Sequence, residues 1–211
     1  MTHGIQPPAQ IPLFPIRGCI LLPGEHLPLN VFEPRYLNMV DDAMAGDRYL
    51  GIVQPSNSGP REKPELCSIG CAGVIASRNE TEDGRYLIVL QGVIRFDISA
   101  EAEPLTPYRV AHADYARFGG DLTPQALSPE VDRESFLSLL ARFFDHMGLD
   151  ADWESLAQAP VSTIADKVAM AAPFDADAKQ ALLEAVDPPA RIATLASMMS
   201  LTLDASGDPP R

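Results

Sequence analysis

Lysine is scarce in this chain: its 211 residues contain Lys63, Lys167 and Lys179 and no others. A polyanion is held by clustered basic side chains that displace its counterions, so three dispersed lysines argue against nucleic acid and anionic membranes as partners. No Gly-Lys pair occurs anywhere. A phosphate-cradling loop needs Gly-Lys followed by Ser or Thr, which excludes nucleotide hydrolysis of that kind. Cysteine is equally rare, and Cys19, Cys67 and Cys71 are an odd number, unlike the even set of a disulfide framework. With residues 67–76 as one strand, Cys67 and Cys71 would stand roughly 13 Å apart, beyond disulfide reach. Neither these cysteines nor His3, His26, His112 and His146 have the spacing of the four close ligands that zinc requires. No metal and no cofactor is expected. The longest apolar runs fall far short of a bilayer span. Met1 to Pro8 lacks a basic stretch leading into an apolar core, so the expected location is the cytoplasm.

What is present is an ordinary globular composition, 46% hydrophobic and 21% charged, in a length that buries a substantial core as one domain or two lobes. The net charge of −13 is spread unevenly. Residues 1–118 carry 10 basic and 14 acidic side chains, whereas residues 119–211 carry 6 and 15.

Short apolar segments broken by Gly and Pro run to about Phe118, the pattern of a small curved sheet or barrel. Cys71 to Ala76 leads through Asn79-Glu80-Thr81-Glu82-Asp83-Gly84 into Arg85 to Leu90, and Asp-Gly supplies the positive-φ residues of a hairpin. Gly92 then separates that strand from one carrying Ile94, Phe96 and Ile98 in alternation, with a bulge or bend at the glycine. Pro34 opens a helix bearing Tyr36, Leu37, Val40, Ala43 and Met44 that stops at Gly46.

Beyond a Gly- and Pro-rich stretch the apolar period changes from two to about 3.6. Ser128 caps a helix from Pro129 with a stripe of Phe136, Leu140, Phe143, Phe144 and Met147, ended by Gly148. Further helices start at Asp152, run from Thr163 to Ala172 capped by Ser162, run from Ala176 to Val186 capped by Asp175, and follow Asp187-Pro188. The organisation expected is a flexible start over 1–9, a β lobe over 10–118, a linker over 119–128, a helical lobe over 129–203 and a flexible tail over 204–211.

Several segments, in this order, resemble the LON substrate-binding domain family: Leu13-Phe14-Pro15, Leu22-Pro23-Gly24, Leu27-Pro28-Leu29, Phe32-Glu33-Pro34-Arg35-Tyr36 and Gly51-Ile52-Val53-Gln54-Pro55. Ile69 to Ile75, Glu82 to Tyr86, Gly92 to Phe96, Ala172-Pro173-Phe174 and Lys179 to Glu184 continue the likeness, which covers roughly residues 10–203. The resemblance implies an α+β fold, a PUA-like β-barrel lobe with one inserted helix followed by a C-terminal helical bundle. It also implies a stand-alone relative of the N-terminal domain of Lon proteases, where this domain recognises protein substrates while separate domains hydrolyse ATP and peptide bonds. None of the three lysines matches the serine–lysine protease motif, and Lys167 after Ser162 and Thr163 reads as a solvated helix face rather than a catalytic base.

The expected function is therefore non-catalytic binding of protein or unfolded-polypeptide clients, in connection with a protease or chaperone system. The alternative is a PUA-like module binding RNA or a small regulatory ligand, its RNA version disfavoured by the charge. Glu33-Pro34-Arg35 reads first as a pinned helix start. Asp41-Asp42 and the Glu80 to Asp83 turn read as solvated surface. Met147, Met170, Met198 and Met199 read mostly as core. A concave surface between the lobes is the expected place for a partner, and Arg35, Tyr36, Tyr86 and Arg95 are its nominated contacts because aromatic and Arg side chains dominate interface energetics.

Overall fold

A computed structural model describes residues 7–60, 63–103, 105–123 and 132–205. The chain divides into two compact units, residues 1–125 and 126–211.

The first unit is built on six strands: β1 (Gln10–Pro15), β2 (His26–Val31), β3 (Tyr49–Val53), β4 (Ile69–Glu80), β5 (Tyr86–Glu101) and β6 (Arg109–Asp114), with helix α1 (Pro34–Ala45) between β2 and β3. They pair in the order β2-β5-β4-β3-β1-β6, and β6 also pairs with β5, so the hydrogen bonding returns on itself. All these pairings are antiparallel except β1 with β3, which is parallel.

The β4–β5 hairpin forms where the sequence places it. Only Gly84 of the Asp-Gly pair takes a positive φ, 77°, and the turn is closed by the Gly84 N–H donating to Thr81 O at 2.9 Å. Contrary to the sequence reading, Gly92 does not divide two strands: β5 runs unbroken for 16 residues. The expected bulge is present, because Gly73 pairs with Gly92 but Ala72 pairs with Ile94, leaving Val93 extra. A Cβ on Gly92 would lie 2.1 Å from Leu22 O, so glycine alone allows the neighbouring chain to approach. The bulge bends β5, whose first half pairs with β2 and whose last residues pair with β6.

Ile11, Leu13, Leu21, Leu22, Ile52, Leu90 and Phe96 are all buried in the core of this unit. Helix α1 starts at Pro34 and is ended by Gly46, as its punctuation implies. Its outer face is less idle than expected, since Asp41 accepts from the Tyr86 hydroxyl at 3.2 Å and Asp42 from the Tyr108 hydroxyl at 2.7 Å. These bonds tie the helix to β5 and to the chain entering β6. Residues 119–122, read as the start of a linker, belong to a 3₁₀ helix, Ala116–Leu122.

The second unit holds α2 (Arg133–Met147), α3 (Trp153–Gln158), α4 (Val161–Ala171), α5 (Ala176–Glu184) and α6 (Pro188–Ala205). Ser128 and Pro129 lie outside the described residues; the described helix starts at Arg133, with Asp132 accepting from the N–H groups of Glu134 and Ser135. Asp152 and Asp175 cap α3 and α5, and Asp187 accepts from the Ala190 N–H at 2.8 Å to cap α6. The expected Ser162 cap is absent. Pro160, with φ −58° and ψ 144°, directs the chain into α4 two residues earlier, leaving Ser162 inside the helix. Helix α5 stops at Glu184 rather than Val186 because Ala185 is already extended. Phe136, Leu140 and Phe143 form the buried stripe of α2, with Phe143 stacked on Phe174 at 5.6 Å. Of the four methionines read as core, only Met199 is fully buried.

Candidate functional site: a cationic, proline-rimmed hollow

Five separate stretches of the first unit meet around a hollow of about 390 Å³, within the range of ligand-binding cavities. The ends of parallel strands β1 and β3 bring Pro15 and Pro55, the first turn of α1 brings Arg35 and Tyr36, the segment before β4 brings Lys63 and Pro64, and the start of β6 brings Pro107, Tyr108 and Arg109. Three of the nine lining residues are cationic and none is acidic, although acids outnumber bases 29 to 16 in the whole chain.

Each group is held in place. The Tyr36 ring lies 4.4 Å from that of Phe14, and the Arg35 guanidinium lies 4.5 Å from its centroid. Arg35 pairs with Glu33 at 2.8 Å and stays about half exposed. Arg109 donates to Pro64 O at 2.7 Å and, through Nε, to Glu101 at 2.9 Å; a second bond joins its terminal nitrogen to the same carboxylate. That hydrogen bonding holds the Glu101 carboxyl below its ordinary range. Burial raises the Tyr36 phenol. Burial, aided by Asp42, pushes Tyr108 up to about 12. Both phenols are thus neutral at pH 7. Such a lining offers aromatic surface, hydroxyls and positive charge to a ligand.

The nominated residues separate. Arg35 and Tyr36 share the hollow. Tyr86 does not line it: it is buried, bonded to Asp41, with the Arg78 guanidinium 3.8 Å over its ring. Arg95 is 2% exposed and grips Asp121 through its backbone N–H, Nε and Nη2 at 3.0, 2.9 and 2.8 Å. It braces β5 against the 3₁₀ helix. Sequence reasoning missed Lys63, Tyr108, Arg109 and the four prolines. The available signal was that two of the family-like segments end in Pro15 and Pro55.

The second unit has a hollow of its own of about 320 Å³, mostly apolar, including Phe144, Leu156, Ile164 and Val168, with Lys167 among its lining. Among the described residues no group of three or more His, Cys, Asp or Glu is placed to hold a metal ion, and no helix is long and apolar enough to cross a membrane.

The first unit thus joins a six-stranded sheet and one inserted helix to a hollow lined by aromatic and cationic side chains, and five helices among the described residues follow it in sequence. Residues 10–200 match the ATP-dependent protease La (LON) substrate-binding domain, and the chain belongs to that family. It is 26% identical over 195 residues to a Lon protease of Syntrophus aciditrophicus, covering 85% of this chain and 23% of that protein. It is likewise 26% identical over 205 residues to Lon protease 2 of Myxococcus xanthus, covering 92% and 24%. The chain thus spans about a quarter of the length of these relatives. In fold it is similar to the Lon N-terminal domain protein from Xanthomonas campestris, with a TM-score of 0.60 at 22% identity over 89% of this chain and 97% of that one. It is also similar to the N-terminal domain of a Mycobacterium avium complex Lon protease, with a TM-score of 0.63 at 20% identity over 90% and 98%.

Proposed function

We propose that this chain binds unfolded or extended polypeptide clients through the hollow lined by Arg35, Tyr36, Tyr108 and Arg109, and presents them to a proteolytic system without hydrolysing ATP or peptide bonds itself. The observation that carries this reading is the convergence of aromatic and cationic side chains on one pre-formed cavity in a substrate-binding family. Rigid prolines and buried rings lose little freedom when a ligand arrives. The missing Gly-Lys pair supports the absence of ATP hydrolysis, and the three cysteines, all thiols, accord with work in the reducing cytoplasm. We further read the ring of pairings β5-β4-β3-β1-β6 as the PUA-like barrel and the stretch around 119–128 as the lobe boundary; of the ends read as flexible, residues 1–6 and 206–211 lie outside the described residues, while Asp204 and Ala205 belong to α6.

The test is fluorescence anisotropy with a labelled, permanently unfolded protein and its folded counterpart. Wild type should bind the unfolded form selectively, and the Arg35→Ala/Lys63→Ala double variant should bind it several-fold more weakly, the scale of two partly exposed charged contacts. Binding of an RNA oligonucleotide or a small metabolite, with no polypeptide bound, would replace this reading by the alternative.

A further inference from the structure

Resting on the client-binding reading, we infer that the hollow selects acidic segments: extended stretches in which Asp or Glu side chains stand beside Pro or aromatic residues. The three cations come from different elements, Arg35 from α1, Lys63 from the segment before β4 and Arg109 from β6. Charges set around a rim suit several carboxylates along a chain better than one bidentate group at a single point.

Local carboxylates engage two of the three cations. Glu33 holds Arg35 and Glu101 holds Arg109, while Asp42 holds the Tyr108 hydroxyl. Lys63 is exposed and, in no ion pair among the described residues, is the cation most open to a ligand carboxylate; its field also helps keep Glu101 ionised. The rest of the chain's negative charge is screened over about 8 Å at physiological salt, so contacts inside the hollow decide selectivity. The rings of Tyr36 and Tyr108, both mostly buried, give prolyl or aromatic neighbours of the carboxylates an apolar surface. The cavity of about 390 Å³ accommodates a few side chains, not a folded domain.

The experiment uses two labelled peptides of equal length with blocked, uncharged ends. One has Asp and Glu interspersed with Pro and Tyr, and its twin has Asn and Gln at the acidic positions. By anisotropy the acidic peptide should bind about tenfold more tightly, the scale of two or three partly exposed ion pairs. Lys63→Glu and Arg35→Glu, both at exposed positions and checked for folding by circular dichroism, should abolish the preference, and salt near 1 M should erase it in wild type. Equal binding of the twins, or a preference unmoved by Lys63→Glu, would overturn the inference. If the unfolded client still binds in that case, the client-binding reading stands and only the acidic selectivity fails. If no polypeptide binds, or an RNA oligonucleotide displaces the acidic peptide, both fail.

Discussion

The two units use charge in opposite ways. In the helical unit acids maintain the fold: Asp132, Asp152, Asp175 and Asp187 cap four helices, and Glu134, Glu154 and Asp177 lie in first turns, where the helix dipole favours them. Bases there serve backbone carbonyls. Arg133 donates to Leu156, Ala157 and Ala159 at the end of α3, Lys179 to Met170 O at 2.8 Å, and Arg191 to Leu182 O and Asp166. In the sheet unit the acids instead hold tyrosines and arginines, and cations are left facing a hollow. Seven of the fifteen acids in residues 119–211 thus stand at helix starts, while the more nearly balanced unit carries the cation-lined hollow.

The sharpest way to test this contrast is to remove one acid from each side of it. Arg95 and Asp121 have side chains 3% and 6% exposed, so Asp121→Ala strips a buried guanidinium of its carboxylate. Breaking such a pair costs about 3–5 kcal/mol, and chemical denaturation should show the loss in the sheet unit. Asp175→Ala removes an exposed cap that accepts from the Ala178 N–H at 2.7 Å, at about 1 kcal/mol, with Asp175→Asn restoring most of it. Equal losses would mean that acids in the two units do the same work.

These two residues also mark what a single sequence discloses. Asp175 is legible because a cap and its helix are adjacent in the chain, as are Pro34 before α1 and Gly84 in its turn. Asp121 meets Arg95 across 26 residues, and no local period announces it. Arg95 was accordingly nominated for a surface it does not reach. Tyr86 followed the same logic, since an aromatic on a strand looks identical whether it faces a partner or an aspartate 45 residues away. Arg35 and Tyr36 could be nominated as neighbours on one helix turn, but Tyr108 and Arg109 join them only through the return of β6 onto β1, a non-local pairing, and Lys63 comes from the separate segment before β4.

The smallest expected effect is one of pH, and it separates the units without mutation of the core. Asp132 and Asp152 sit below the ordinary carboxylate range, first because Ser135 and Ser155 respectively donate side-chain hydrogen bonds to them. A carboxyl whose folded pKa is depressed contributes stability that is complete above its unfolded value, near 3.9, and that is lost as pH falls through the folded one. Acidification below about pH 4 should thus fray the starts of α2 and α3. The chain's single tryptophan, Trp153, is the first residue of α3 and packs edge-on against Phe144 at 5.8 Å, so its fluorescence reports this event within the helical unit. Asp152→Asn keeps an acceptor at the cap but cannot titrate there, and should flatten the acid end of the Trp153 signal. Glu101 in the sheet unit is depressed too, by Arg109, but it lies beside the hollow, so its protonation should alter ligand affinity rather than Trp153 emission. An Asp152→Asn protein whose Trp153 transition matches wild type would show that the caps are not what acid dissolves, and the contrast drawn between the units would lose its electrostatic basis.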